Sequence, residues 1–208
     1  MAQDNQQMML QAGMPVLHAA KSIKLPLAYD VERLQQDIAR LKLQPFVHYD
    51  VLPLRSPAHL VDPALPFPNS VGDYADGSWT PWLNTSLMEA CCPYIQEIIT
   101  TLQQHVTVNL VRILRLAPHG RIDEHTDPTL GLQIERAMVR LTIPISVHDS
   151  TCFYLNQQLV PMQPGECWYM RLTDPHYVDN PSDQERINLT IDVVPNDWLY
   201  EVLLSQLD

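Results

Sequence analysis

His125-Thr126-Asp127, followed far downstream by His176, brings together residue types that can hold a metal and leave room for chemistry beside it. In an extended segment side chains alternate, so His125 and Asp127 share a face and can reach one point. Two imidazoles and one carboxylate occupy one side of a ferrous ion and leave the other side open. That arrangement suits a non-haem iron site that takes a bidentate cosubstrate and O2. In a chain with eight histidines, His-x-Asp by itself is a weak signal. Arg186, ten residues after His176, sharpens it. A 2-oxoglutarate that chelates iron through its keto-acid end leaves a second carboxylate several ångströms away. A planar guanidinium holds that carboxylate bidentately, which an ammonium group does less well. Each residue has a plainer reading: a surface histidine, a turn carboxylate before Pro128, a satisfied histidine after Pro175, a strand-edge charge. Taken jointly, in this order and spacing, the four favour the iron site.

Such residues need rigid elements to aim them. Beyond Val106, short apolar or alternating runs follow one another: Thr107–Leu116, Arg121–Asp127, Met138–Ile145, Cys152–Asn156, Gln158–Met162, Glu166–Met170 and Arg186–Val193. Turn residues such as Pro118-His119-Gly120, Pro164-Gly165 and Asn180-Pro181-Ser182 separate them, a pattern that predicts a sandwich or barrel. In the last strand Ile187, Leu189, Ile191 and Val193 form an apolar row, leaving Arg186, Asn188, Thr190 and Asp192 opposite. Around residue 140, Val139, Leu141, Ile143 and Ile145 form the apolar row, with Arg140 and Thr142 opposite. Either polar face meets water, or it lines a cavity while the apolar face packs under helices.

Those helices are predicted from Asp30 (an N-cap, with Leu34, Ile38 and Leu41 inward), from Pro93, and from about Asp197. Residues 1–20 read as a flexible tail and 21–208 as a single domain. Within it, 21–105 is helical and loop support, 106–195 the β core and 196–208 a closing helix. Five prolines between Pro53 and Pro68 make Pro53–Gly77 a long irregular loop, either a lid or a draped surface segment.

Twenty-four acidic against thirteen basic residues give a net charge of −11, which argues against nucleic acid or an anionic membrane as the main partner. No apolar run approaches the roughly 18 residues of a membrane span. The N-terminus shows no signal-like pattern, so a cytoplasmic location is expected. The four cysteines form no C-x-x-C pair and read as reduced thiols rather than a zinc site or disulfides. Oligomeric state is not legible.

The run Val111-Arg-Ile-Leu-Arg-Leu-Ala-Pro-His-Gly-Arg-Ile-Asp-Glu-His-Thr-Asp127 resembles the aspartyl/asparaginyl β-hydroxylase family of Fe(II)/2-oxoglutarate dioxygenases. So do Met138-Val-Arg-Leu-Thr-Ile-Pro144, Gly165-Glu-Cys-Trp-Tyr169, Pro175-His-Tyr-Val-Asp-Asn180 and Arg186-Ile-Asn-Leu-Thr-Ile-Asp192. Within the family the chain looks closest to the small bacterial branch that includes L-proline cis-4-hydroxylase. The resemblance covers about residues 106–195.

It implies a mainly β fold with flanking helices, a double-stranded β-helix (jelly roll, cupin-like) with the metal at one open end. It implies His125, Asp127 and His176 as iron ligands and Arg186 as the clamp for the distal carboxylate of 2-oxoglutarate. Arg140 matches a cavity arginine able to meet a carboxylate. Thr142, where the family commonly has histidine, is expected on the cosubstrate side. Arg112 and Arg115 match basic positions of the proline-hydroxylase branch, and strand parity leaves open which faces the cavity. Arg55, Tyr74 and Trp79, in or beside the segment where this fold often carries a cover, are residue types able to grip a small zwitterion. The implied enzyme hydroxylates a C–H bond of a free amino acid or related small carboxylate with Fe(II), 2-oxoglutarate and O2, releasing succinate and CO2. Asp127 as a ligand favours hydroxylation over halogenation. Alternatives are hydroxylation of an Asp, Asn or other residue in a peptide or protein, and a cupin-like metal-binding sensor without turnover.

Overall fold

Period-two alternation of apolar residues fills the second half of the chain, and it builds strands there. The structure, a computed structural model, describes residues 2–57, 61, 82–132 and 138–207. The larger sheet holds β1 (Ser22–Ala28), β2 (Tyr49–Pro57), β3 (Trp82–Asn84), β4 (Thr107–Leu116), β6 (Val139–Ser146), β9 (Glu166–Met170) and β11 (Arg186–Val194), in the order β1-β9-β6-β11-β4-β2-β3. The smaller sheet holds β5 (Arg121–His125), β7 (Cys152–Leu155), β8 (Gln158–Val160) and β10 (His176–Asp179), in the order β5-β10-β7-β8. All pairings between these strands are antiparallel. This is the expected double-stranded β-helix with flanking helices.

Each face of the large sheet has its own apolar layer. Ile187, Leu189, Ile191 and Val193 of β11 join Val139, Leu141, Ile143 and Ile145 of β6 under the helices. Leu116, Trp168 and Met170 face the small sheet and meet Phe153, Leu155 and Val178. The polar rows of β6 and β11 therefore point between the sheets, where the second layer of side chains closes one end and leaves the other for the site.

The helices that cover the outer face are α2 (Val31–Arg40), α3 (Ser86–Cys91), α4 (Pro93–Leu102) and α5 (Asp197–Leu204). Asp30 caps α2, its side chain accepting from the Arg33 N–H at 3.0 Å. Fully buried Asp37 of α2 accepts from the N–H groups of Tyr94 and Ile95 at 2.9 and 2.8 Å, so one helix carries the carboxylate that satisfies the start of α4. None of the described helices is long and apolar enough to cross a membrane.

The chain departs from the sequence expectation in three places. The stretch expected as a flexible tail contains α1 (Ala2–Ala19), whose Leu10 and Leu17 are buried. Gly13 lets α1 approach Leu204 of α5 so closely that an added Cβ would lie 2.8 Å from it. Docking against another helix organises a segment whose own periodicity is weak. Second, the expected loop from Pro53 begins as strand, since β2 runs to Pro57 between β4 and β3. Pro53 stands opposite Arg112 just before a register shift, the kind of irregularity where a strand tolerates a residue without an N–H. The rest of that expected loop, except residue 61, lies outside the described residues, as do Tyr74 within it and Trp79 just beyond it. Third, β1, β3, β10 and α3 lie outside the expected elements, although β1 alternates, with Ile23 and Leu25 buried and Lys24 and Pro26 exposed.

Candidate metal centre

His125 ends β5 and His176 begins β10, and the two are Cα partners in the β5–β10 ladder. Their ring centroids lie 4.2 Å apart. Asp127 sits two residues beyond His125, its N–H donating to the Leu172 carbonyl at 2.8 Å, which returns the chain to the same side. One candidate ligand atom from each of His125, Asp127 and His176 lies within 4.8 Å of the others. His125 Nδ1 is 2.8 Å from the Asp123 carbonyl and His176 Nδ1 is 2.9 Å from that of Asp174. A carbonyl only accepts, so both Nδ1 atoms carry the proton and both Nε2 atoms are left as bases. Burial and the neighbouring charge of His125 lower the His176 pKa, while the Asp174 carbonyl opposes them. The net effect favours the neutral, ligating imidazole.

The three side chains open into a cavity of about 460 Å³ between the sheets. Arg186 lines it, 5% exposed. Burial pushes its guanidinium down to about 10, and among the described residues no carboxylate forms an ion pair with it. Its neighbour on the polar row, Asn188, satisfies both partners when its carboxamide is turned so that the oxygen accepts from Arg186 Nη1 and Nη2 at 3.1 and 2.5 Å. A buried charge whose partner among the described residues is a neutral amide is costly unless an anion joins it, so the site has the chemistry of a carboxylate receptor. Tyr49, at the same wall, has its phenol pKa raised by burial, against the pull of Arg112, Arg140 and Arg186.

Arg140 is differently placed. Asp192 grips it at 2.7 and 2.8 Å, and its Nη1 donates to Asp127 at 3.1 Å. Thr142, 4% exposed, lines the cavity on the same strand face. The structure decides between the two β4 arginines. Arg112 lines the cavity, with Nη2 3.7 Å from Asp192, whereas Arg115 does not reach it. Arg115 instead bonds Glu185 at 2.6 Å, Asp50 at 2.8 Å and the Gln44 carbonyl at 2.9 Å, and its guanidinium lies over the Phe46 ring. Three residues make opposite faces of β4, so these two could not both point inward. Arg55 is also away from the cavity. It donates to the Val108 carbonyl and to Asn84, beside a separate surface depression with Trp82 and His105.

Asn188 and Asp192 were visible in the sequence only as members of the β11 polar row. Tyr49 carried no signal, because the prolines that follow it obscure the alternation of β2.

A protein-family model for aspartyl/asparaginyl β-hydroxylase matches residues 76–195. The chain belongs to that family and is an oxygenase of hydroxylase type. Among solved structures, an oxidoreductase of the 2OG-Fe(II) oxygenase family from Burkholderia pseudomallei superposes with a TM-score of 0.53 at 12% identity, covering 93% of this chain and 91% of its own. A cupin domain from Bordetella pertussis matches 43% of this chain and 92% of its own at 19% identity, TM-score 0.32. A cupin domain of a transcriptional regulator from Enterobacter cloacae matches 45% and 87% at 15% identity, TM-score 0.34. The first of these shares the fold over nearly the whole length of both chains.

Proposed function

We propose that this protein hydroxylates an unactivated C–H bond of a free amino acid or related small carboxylate, using Fe(II), 2-oxoglutarate and O2. The observation that carries the reading is Arg186, a buried guanidinium without an ion-pair partner among the described residues, in one cavity with His125, Asp127 and His176. The donor set fits a ferrous ion: two neutral imidazole nitrogens and one carboxylate, on one side of an open space. When bound, iron with 2-oxoglutarate supplies oxidative decarboxylation to succinate and CO2 and the oxygen insertion. The chain's own residues do the rest. His125 and His176 present Nε2 because backbone carbonyls hold Nδ1. Arg186 and Asn188 receive the distal carboxylate and so fix the orientation of the cosubstrate. Ile122, Leu114, Phe153 and Met170 line the same space with apolar surface, which keeps water from the reacting carbon. Arg112 offers a further cavity cation toward an acidic group of the substrate.

The family's description names aspartyl and asparaginyl groups, which favours a second reading, hydroxylation of such a residue within a peptide or protein. Succinate formation with Fe(II), ascorbate and 2-oxoglutarate, across free amino acids including proline and across Asp- and Asn-containing peptides, separates the two. Turnover with free amino acids is expected. Turnover with peptides alone would replace the first reading by the second, and loss of neither activity nor iron binding in His176→Ala would overturn both.

A further inference from the structure

Asp127 meets the metal pocket with one oxygen already engaged. Arg140 Nη1 donates to its Oδ2 at 3.1 Å. The same guanidinium is held from the other side by Asp192, through Nε to Oδ1 at 2.7 Å and Nη2 to Oδ2 at 2.8 Å. The Asp192 side chain is 1% exposed and that of Arg140 12%. The two are Cα partners across β6 and β11, so the grip is built on neighbouring central strands of the large sheet. A bidentate arginine–carboxylate pair fixes the plane of the guanidinium, and with it the direction of the remaining N–H groups.

We infer that Asp192 is a positioning residue for the metal site: through Arg140 it orients Asp127 and offsets part of the arginine charge beside the cation. This rests on His125, Asp127 and His176 being the metal centre. Two effects act together. Arg140 occupies Oδ2 of Asp127, which leaves Oδ1 as the oxygen directed to a metal and resists rotation of the carboxylate. An arginine a few ångströms from a divalent cation would otherwise repel it and compete for Asp127, and buried carboxylate Asp192, which Arg112 Nη2 also approaches at 3.7 Å, offsets part of that charge. Arg140 thereby belongs to the support of the metal ligand, in place of the cosubstrate role that its motif position suggests.

The test is calorimetric titration of Mn(II) and Co(II), without cosubstrate, into wild type, His125→Ala, Asp192→Asn and Arg140→Lys, each checked for folding by circular dichroism. His125→Ala tests the metal centre itself: wild-type affinity in that variant would sink the reading on which the inference rests. With His125→Ala impaired, Asp192→Asn is expected to weaken binding about 10- to 100-fold, the usual effect of losing an outer partner of a ligand, and to alter the Co(II) absorption spectrum. Arg140→Lys keeps a positive charge opposite Asp192 but cannot span both carboxylates. It is expected to weaken binding over the same range, and it decides the question if Asp192→Asn does not fold. At saturating metal the 2-oxoglutarate KM should stay at the wild-type value in both variants. Unchanged metal affinity in both, or a raised 2-oxoglutarate KM with unchanged metal affinity, overturns the inference.

Discussion

His125 and His176 face each other across the β5–β10 ladder, register partners whose ring centroids are 4.2 Å apart. Antiparallel pairing brings residues distant in sequence to one height on neighbouring strands, and a carbonyl behind each ring turns both Nε2 atoms the same way. Removing either ring therefore removes one apex of a preformed site. His125→Ala and His176→Ala should each lose more metal affinity than the roughly 10- to 100-fold that an outer partner contributes. Calorimetry with Mn(II) measures this, and activity should disappear in parallel.

Arg186→Ala should raise the 2-oxoglutarate KM, since an unpaired desolvated carboxylate costs on the order of 2–5 kcal/mol, or about 30-fold or more. Metal affinity measured without cosubstrate should not follow. Burial lowers the Arg186 pKa, so a carboxylate bound beside it would offset the cost of keeping its charge. Added 2-oxoglutarate should raise the Tm of wild type and leave that of Arg186→Ala unmoved.

The lowered His176 pKa makes a stability prediction for the metal-free protein. The unfolded chain takes up this proton as pH falls through about 6.5, whereas the folded chain takes it up only at lower pH. The unfolded state binds more protons in that window, so stability falls as pH drops through it. Thermal unfolding between neutral and mildly acid pH should show the loss. His176→Gln should flatten that part of the profile, and an unchanged slope would remove His176 from the explanation.

Arg115 supports the sheet, so its replacement should separate stability from cosubstrate use. Arg115→Ala leaves Glu185, Asp50 and the Gln44 carbonyl without their donor. The two carboxylates keep partial solvent contact, so the cost should be about 1–3 kcal/mol. Urea unfolding reads that loss, and the 2-oxoglutarate KM of the folded enzyme should match wild type.

Gly165 holds φ at +81° where its carbonyl accepts from Tyr29, and an added Cβ would lie 2.5 Å from the Tyr29 oxygen. Gly165→Ala combines a left-handed backbone with a clash against main chain. It should destabilise by more than the roughly 0.4–1 kcal/mol that a strain-free Gly→Ala replacement gains, measured as a lowered urea midpoint with unchanged slope.

What the sequence determined by itself is local. The capping Asp30, the first-turn Pro93 and the alternation from Thr107 to Leu116 and from Glu166 to Met170 place α2, α4, β4 and β9, because each signal lies within the element it forms. The same alternation assigned Arg186, Asn188, Thr190 and Asp192 to one face of β11 and Arg140 and Thr142 to one face of β6, and three histidine and aspartate positions to one chemistry. Tertiary structure decided what period and propensity cannot encode. Whether the polar rows meet water or a cavity depends on the second sheet. The choice of Arg112 over Arg115 depends on Asp50 and Glu185, brought to Arg115 from distant parts of the chain. Arg140 is held by a carboxylate while Arg186, among the described residues, has the amide of Asn188, because β11 sets Asp192 beside the first and Asn188 beside the second. Docking on α5 buries Leu17 of a helix whose own pattern is too weak to announce it. Each of these outcomes is a pairing between residues far apart in the chain, and such pairings acquire their energy only when the sheets and helices close on one another.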